Sequence, residues 1–239
     1  MPVSFNTNMA IDLFQASGGE TTFPDSLKQV LNYAQNDDNL RNKKELAYLL
    51  ATAKNESDYS LQRWEADFLC GERGVPYDII PCQEAIDYYR STDGKSNYFK
   101  SGVDSNGMAY FGRGLIQLTH KYNYDRYGKI IGKNLVADGD LALVPKNSYD
   151  IASAFLKRKT FKYVNRDDLY NARRSVNGGT KGLEDTNYEY QRWLNILEQP
   201  AVNFKYSFWT KRNKIVFSIL GVGIVGVAGY FFYKGLKNV

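Results

Sequence analysis

The sequence predicts a mainly α-helical protein with one transmembrane helix at its C-terminal end. Apolar residues recur with the spacing i, i+3, i+4 and i+7 in several segments of residues 1–198, as expected of helices that bury one face. Residues 215–233 form an uncharged apolar run that is long enough to cross a bilayer. No segment shows the strong alternating pattern of a strand, although a short hairpin within residues 57–80 stays open.

The helical segments begin at recognisable signals. Pro24 and Asp25 precede the first pattern and Pro81 precedes the third, and proline fits the first turn of a helix. The apolar positions are Leu27, Val30, Leu31 and Ala34; Leu46, Leu49, Leu50 and Ala53; Cys82, Ala85, Ile86 and Tyr89; Tyr190, Trp193, Leu194 and Leu197; and, in a shorter pattern, Ile151, Ala154 and Phe155. Residues 91–110 and 177–186 are rich in Gly, Ser, Asp and Asn and are predicted to be loops.

The C-terminal run begins at Ile215 and ends at Tyr233, with cations on both sides. At about 1.5 Å per residue, a helix of this length nearly spans a hydrocarbon core of roughly 30 Å. Phe208 and Trp209 before the run are placed as an interfacial aromatic belt. A buried helix of a globular core is the alternative, but the length and terminal position favour the membrane. We therefore expect a linker at 199–213, a transmembrane helix at 214–234 and a short tail at 235–239.

The net charge of +5 belongs to the C-terminal region. Residues 211–239 contain five cations and no acid, which leaves 26 cations to balance the 26 acids of the remaining chain. A neutral body argues against nucleic acid as a partner. Cys70 and Cys82 either form one disulfide or stay free thiols, and with one histidine the chain lacks a Cys/His cluster for zinc. We expect no metal or organic cofactor.

Two glutamates near the end of the second predicted helix suggest acid–base chemistry. Glu56 falls beside Leu49 and Ala53 at the edge of the apolar face, where desolvation disfavours a charged carboxylate. Glu65 follows in "LQRWEADF", and a loop or hairpin brings it back across from Glu56. Two carboxylates that face each other across a cleft are what glycosidic hydrolysis requires. The alternative from position alone is a glutamate at a helix end that points to water.

The most distinctive block is "YFGRGLIQLTHKYNY", which joins a Gly-Arg-Gly turn to short polar side chains. Together with "ATAKNESDYSLQRWEADF" before it and "SVNGGTKG" after it, this block resembles glycoside hydrolase family 19 over residues 25–198. That family contains chitinases and the phage and bacterial endolysins that cut peptidoglycan. The resemblance implies a lysozyme-like, two-lobed helical domain over residues 1–198.

The resemblance also implies a role for each matching residue. Glu56 matches the general acid, although Asn55 replaces the histidine of the family's His-Glu pair. Glu65 matches the second carboxylate of the endolysin-like members, with Glu72 as the substitute candidate. Thr119 matches the residue that positions the attacking water. The positions that match substrate contacts are Tyr110, Gln117, Asn123 and Asn177, and those expected to shape the site are Gly112, Arg113 and Gly114. His120 is expected to be structural.

These expectations combine into one functional hypothesis with open alternatives. The sequence indicates a membrane-anchored, inverting peptidoglycan hydrolase, with glycan strands and the lipid bilayer as partners. A chitinase, a lytic transglycosylase and a non-catalytic glycan-binding membrane protein of a virion stay open. No signal peptide is visible at the N-terminus. The internal membrane of a lipid-containing phage, where other virion proteins are further partners, is therefore expected ahead of the bacterial cell membrane.

Overall fold

The computed structural model describes residues 3–65 and 101–199. The chain divides into two compact units, Met1–Ala201 and Val202–Val239, and every described residue belongs to the first. The described part is mainly helical, as predicted. Its helices are α1 (Thr7–Ala16), α2 (Pro24–Ala34), α3 (Lys43–Ser57), α4 (Lys121–Ile131), α5 (Pro145–Lys159), α6 (Phe161–Val164), α7 (Leu169–Asn177) and α8 (Leu183–Glu198), with a 3-10 helix at Gly139–Leu143 between α4 and α5.

The central helix α3 has well-formed ends. The Asn42 side chain accepts a hydrogen bond from the amide of Glu45, and the Glu45 carboxylate accepts one from the amide of Arg41. The first bond satisfies one of the amides that the first turn of a helix leaves unpaired, and the second ties Glu45 to the residue before the cap. The helix ends at Ser57, and the next residue, Asp58, has a left-handed backbone with φ of 51°. This ending fixes where the chain leaves the helix, directly after Glu56 and Ser57.

The core forms around α3, which packs along α8. All four apolar positions predicted on α2 and all four on α3 are buried, so these two predictions are confirmed. Trp193 of α8 stacks on Phe14 of α1, with ring centroids 4.8 Å apart, and its indole donates to the Tyr59 hydroxyl at 2.8 Å. The buried hydroxyl and indole N–H thus satisfy each other inside an apolar cluster. Helix α1, which the apolar pattern did not predict, is held in place by this stack.

Residues 101–120 form turns rather than regular elements. Residues 101–110 are the described part of the loop predicted over residues 91–110, and they agree with that prediction. Isolated antiparallel bridges join Trp64 to Arg113 and Arg113 to Leu118. The second predicted loop is shorter than expected, because α7 ends at Asn177 and α8 already begins at Leu183. We refer to residues 112–118 as the GRG turn.

Several predictions fall on residues that the structure does not describe. These are the helix at 82–89, Glu72, the cysteine pair, the linker at 199–213, the span at 214–234 and the tail at 235–239. Within residues 3–65 and 101–199, no helix combines the length and apolar character needed to cross a membrane.

Candidate active site

Glu56 lies in the last turn of α3 and forms an ion pair with Arg173 of α7. The guanidinium Nη1 donates to Glu56 Oε1 at 2.6 Å, and the two side chains are 4% and 19% exposed respectively. Glu56 therefore lies against a buried cation, whereas the sequence predicted apolar side chains around it. The remaining exposure leaves the carboxylate within reach of a ligand.

Arg173 is itself held by the loop after α7. Its Nε donates to the Lys181 carbonyl at 2.8 Å, and the Asn177 side chain donates to the same carbonyl at 3.0 Å. Arg173 and Asn177 are four residues apart on α7 and so share one face of the helix. Gly182, with φ of 72°, lets the loop approach closely, since a Cβ there would lie 2.8 Å from Asn55 Nδ2. One loop thus aligns the partner of Glu56 and the predicted glycan contact Asn177.

Glu65 is anchored to the GRG turn through both its backbone and its side chain. Its amide donates to the Gly112 carbonyl at 2.9 Å, and its Oε2 accepts from the Gly112 amide at 2.7 Å. A Cβ on residue 112 would lie 3.0 Å from Glu65 Oε2 and 2.9 Å from Gln117 Oε1. Glycine is required at position 112 because the carboxylate occupies the space that a side chain would take.

The end of α3 is attached to the same turn. The Ser57 hydroxyl donates to the Leu115 carbonyl at 2.9 Å, and the Leu115 amide donates to the Ser148 hydroxyl at 2.8 Å. Glu56 is adjacent to Ser57, so the end of α3 that carries Glu56 is attached to the GRG turn, whereas the Glu56 carboxylate itself pairs with Arg173. The Glu65 carboxylate is bonded directly to that turn.

Arg113 is the fully buried centre of the turn. Its guanidinium donates to Asp140 at 2.8 Å, to the Ala109 carbonyl at 3.1 Å and to the Tyr124 hydroxyl at 2.9 Å, and it lies 3.7 Å from the centre of the Phe111 ring. Burial raises the pKa of the Tyr124 hydroxyl to about 12, although the charge of Arg113 opposes the rise. Tyr124 thus stays neutral and donates in turn to the Phe111 carbonyl. These contacts fix the turn from the interior, although the Asp140 side chain keeps part of its surface in solvent.

Gly114 permits the sharp bend of the turn. Its φ is 74°, a left-handed backbone that favours glycine, and a Cβ there would lie 2.6 Å from Ser148 Oγ. The amide of Gly114 donates to the Arg63 carbonyl at 2.8 Å. The turn is therefore joined to the segment that carries Glu65 at a second point.

The remaining polar residues of the block lie at its partly exposed edge. The Gln117 side chain donates to the carbonyls of Gly114 and Arg63 at 3.0 and 3.2 Å. The Asn123 side chain donates to the Thr119 carbonyl at 2.9 Å. His120, with φ of 68°, precedes the first residue of α4 and is exposed. Gln117, Thr119 and Asn123 each keep partial exposure, so they remain available to a ligand.

Tyr110 and Asn177 lie in contrasting surroundings. Tyr110 is 1% exposed, and its hydroxyl lies 2.9 Å from the Val136 carbonyl and 3.2 Å from that of Val103. In this structure Tyr110 therefore supports the turn from the interior, and it presents almost no surface to a glycan. Asn177 is exposed and accepts from the Gly179 amide at 2.9 Å.

The chemistry available at this site is that of paired carboxylates next to neutral donors and acceptors. Among the described residues, no group of three His, Cys, Asp or Glu side chains is placed to hold a metal ion. A carboxyl group, a second carboxylate and a hydroxyl are the groups needed to protonate a leaving oxygen and to activate water.

The family is decided by a sequence comparison. The profile of the chitinase class I family, glycoside hydrolase family 19, matches residues 21–158, which is more than half of the chain. The chain belongs to this family. The matched range contains α2, α3, the GRG turn, α4 and most of α5, and therefore both predicted carboxylates.

Solved chitinases share the fold of this family 19 chain. Chitinase C from Streptomyces griseus HUT6037 is 20% identical, with 80% of this chain and 76% of that chain covered and a TM-score of 0.52. A chitinase C mutant is 19% identical, with coverage of 82% and 93% and a TM-score of 0.50. A bacterial family 19 chitinase is 18% identical, with coverage of 85% and 98% and a TM-score of 0.51. The mainly helical fold predicted from the resemblance is thus the family 19 fold.

The family 19 chain is accordingly a glycoside hydrolase of the inverting, chitinase-like type. Sequence reasoning missed two residues that organise its site, Arg173 and Ser57. A signal for Arg173 was present, because it lies one helical turn before the Asn-Gly-Gly segment and so on the face that carries Asn177. The pairing of Ser57 with Leu115 had no comparable signal, since it depends on how the turn packs.

Proposed function

We propose that this protein hydrolyses the glycan strand of peptidoglycan, at the bond between N-acetylmuramic acid and N-acetylglucosamine. One observation supports the proposal: the end of α3 that carries Glu56 and the side chain of Glu65 both contact the GRG turn, through Ser57 to Leu115 and through Glu65 to Gly112. In an inverting glycosidase the two carboxyl groups are separated by about 6.5–9.5 Å, which leaves room for a water molecule.

In the proposed reaction, protonated Glu56 donates its proton to the glycosidic oxygen as the bond to the anomeric carbon breaks. Glu65 removes a proton from a water molecule that attacks the opposite face of that carbon, and Thr119 orients this water. The leaving sugar gains a hydroxyl group, the new reducing end gains the water oxygen, and the configuration inverts. Arg173 stabilises the carboxylate that remains on Glu56, and its contact of 2.6 Å supports this role.

Two features favour the bacterial cell wall as the substrate. The close spacing of Glu56 and Glu65 matches the endolysin-like members of the family, and the predicted membrane span would hold the enzyme beside a wall. Chitin is the second candidate, since the structural neighbours are chitinases and chitin shares the N-acetylglucosamine unit. Gln117, Asn123 and Asn177 offer neutral hydrogen-bonding groups, which suit either polysaccharide.

The test compares the full-length chain, in a neutral detergent, on purified cell walls and on chitin oligosaccharides. We expect wild-type protein to clear walls and release reducing N-acetylmuramic acid ends, whereas Glu56→Gln and Glu65→Gln lose about 10²–10⁴-fold of the rate. Glu184→Gln, an exposed glutamate at the start of α8, is the matched control and should keep full activity.

Each alternative predicts a different product. Cleavage of chitin oligosaccharides without clearing of walls would make the protein a chitinase. Anhydro-sugar ends, with activity retained in Glu65→Gln, would indicate a lytic transglycosylase. Binding to walls with no turnover by the wild type would indicate a glycan-binding protein.

We further propose that residues 215–233 anchor the enzyme in a bilayer, in the internal membrane of a lipid-containing phage. The uncharged run with flanking cations and aromatic residues supports the anchor. We expect the full-length chain to float with neutral liposomes in a density gradient, and a chain that ends at residue 213 to stay at the bottom. Recovery of the protein from host envelopes, and not from purified particles, would contradict the virion location.

A further inference from the structure

A shallow basic pocket lies on the side of the domain formed by α4 to α7. It has a volume of about 530 Å³, opens widely to solvent and is lined by Arg126, Arg158, Lys159, Lys162, Tyr163 and Ser175. Four of these six residues are cations, and they come from three helices. Such a concentration of one charge attracts anions.

The pocket cations lack acidic partners among the described residues, in contrast to cations close by. On α4, Lys129 pairs with Asp125 at 2.7 Å, and on α5, Lys146 pairs with Asp150 at 2.5 Å. Arg126 and Lys159 lie on the same two helices, and neither forms an ion pair with a described carboxylate. The unpaired cations are therefore a local feature of the pocket and not a general property of these helices.

Aromatic rings hold three of the cations in place. The guanidinium of Arg126 lies 4.2 Å from the Tyr122 ring centre, Lys159 Nζ lies 4.6 Å from that of Phe155, and Lys162 Nζ lies 4.8 Å from that of Tyr163. A ring face orients a cation without neutralising it. The charges thus remain available to a ligand.

The cations repel one another. Partial burial, and then the charges of Arg126 and Arg158, lower the pKa of Lys159. An anion in the pocket would remove this repulsion and accept several charge-assisted hydrogen bonds. Phosphate suits such a site because arginine binds it through a fork of N–H groups and lysine binds it as a point charge.

The pocket is separate from the catalytic site but shares a helix with it. Ser175 lies two residues from Arg173 and two from Asn177 on α7, so it faces another side of that helix. A ligand in the pocket therefore lies on a different face of α7 from Arg173 and Asn177. A long phosphate-bearing polymer that is attached to the glycan can extend from one face of this helix to the other.

We propose that this pocket binds phosphate groups of an anionic polymer that is covalently linked to the wall glycan. This inference rests on the proposed function, since it takes the wall as the substrate. The pocket would retain the enzyme on phosphate-bearing walls without taking part in bond cleavage.

The test uses the full-length Glu56→Gln chain in neutral detergent, so that binding is measured without hydrolysis. Walls that carry poly(glycerol phosphate) are compared with the same walls after removal of that polymer, and bound protein is measured by sedimentation. We expect at least about ten-fold tighter binding to the phosphate-bearing walls, as lost charge-assisted hydrogen bonds imply. Inorganic phosphate should compete for the pocket and lower this binding.

Variants connect the binding to the pocket. Adding Lys159→Gln and Lys162→Gln should reduce binding to the level of stripped walls, whereas Lys159→Arg with Lys162→Arg should preserve it. Lys129→Gln, on α4 outside the pocket, should have no effect. If the double glutamine variant does not fold, as judged by its unfolding temperature, Arg158→Gln alone provides the same comparison, because Arg158 is exposed.

Three results would overturn the inference: equal binding to both kinds of wall, an equal loss in Lys129→Gln, or binding to phosphatidylglycerol vesicles with none to the walls. The proposed function is tested separately by hydrolysis of phosphate-free glycan with chains that retain Glu56. Loss of that activity in the pocket variants would show that the pocket belongs to the catalytic machinery, which would also contradict the inference.

Discussion

Arg173 and Glu56 form an ion pair of 2.6 Å that joins α7 to the end of α3. The pair gives the proposed general acid a fixed cationic neighbour, and the Lys181 carbonyl in turn fixes the cation. After Glu56 has given up its proton, the resulting carboxylate already has its counter-ion in place, so no reorganisation is needed at that step.

The ion pair leads to a prediction about turnover. We expect Arg173→Gln to lower kcat by about 10²-fold with little change in KM, because the lost contact acts on the reacting acid and not on the bound glycan. Arg173→Lys should recover part of kcat, since it restores the charge but not the bond from Nε to Lys181. Steady-state kinetics on a soluble glycan oligomer measure both constants.

Arg174→Gln is the matched control for that experiment, because Arg174 is the next residue on α7 and is exposed. Equal losses in Arg173→Gln and Arg174→Gln would contradict a positioning role for Arg173. So would an effect on KM alone.

Gly112→Ala should impair catalysis through Glu65. The added Cβ would lie 3.0 Å from Glu65 Oε2 and 2.9 Å from Gln117 Oε1, so the carboxylate must move. We expect kcat to fall at least about ten-fold, together with the loss of about 1–3 kcal/mol of unfolding free energy that is typical of an overpacked site. Activity assays and urea unfolding measure the two effects.

Gly132→Ala, at the end of α4, separates these effects. Its φ is 69° and its surroundings are open, so alanine should cost about 1–2 kcal/mol of unfolding free energy without touching the site. Full activity in Gly132→Ala beside a loss in Gly112→Ala is the expected pair of results. Full activity in both would show that Glu65 does not depend on its bond to the Gly112 amide.

Arg113 should contribute mainly to stability. Its side chain is fully buried and bonded to Asp140, Tyr124 and the Ala109 carbonyl. Arg113→Met leaves these acceptors without their donor and the buried Asp104 carboxylate, 3.9 Å away, without its cation, and breaking a buried pair costs about 3–5 kcal/mol of unfolding free energy. Urea denaturation measures this loss. Arg166→Met, at an exposed arginine, should change the unfolding free energy little, and similar values for the two variants would contradict the buried network.

Asp168 should make the stability of α7 depend on pH. Hydrogen bonds from the Asn171 side chain and amide lower the pKa of Asp168 below its ordinary value of 3.8. A lowered pKa in the folded state means that the contribution is present above 3.8 and is lost as the pH falls below it. Asp168→Ala should therefore lower the unfolding temperature at pH 7, and the difference from wild type should shrink towards pH 3.

Asp168→Asn is the control for this pH effect. Asparagine keeps the capping acceptor but cannot titrate, so the difference in unfolding temperature between Asp168→Asn and Asp168→Ala should stay the same between pH 7 and 3. A difference between Asp168→Ala and wild type that stays constant over the same range would show that the charge of Asp168 makes no contribution to the cap.

The sequence by itself determined the features that depend on neighbouring residues. The spacing of Leu46, Leu49, Leu50 and Ala53 predicted the buried face of α3, because side chains three and four apart lie on the same side of a helix. Pro24 predicted the start of α2, where the helix begins at that residue. The segments around Glu56, the Gly-Arg-Gly turn and Asn177 together indicated the family, which the family comparison confirmed.

Tertiary structure decided the environments of those carboxylates. Glu56 and Arg173 are 117 residues apart, and Glu65 and Gly112 are 47 apart, so no local pattern connects either pair. An apolar stripe reports which side of a helix is buried, but it does not report which distant polar group occupies the edge of that face. The ion pair from α7 to the end of α3 therefore gave Glu56 a cation where its own helix suggested an apolar wall.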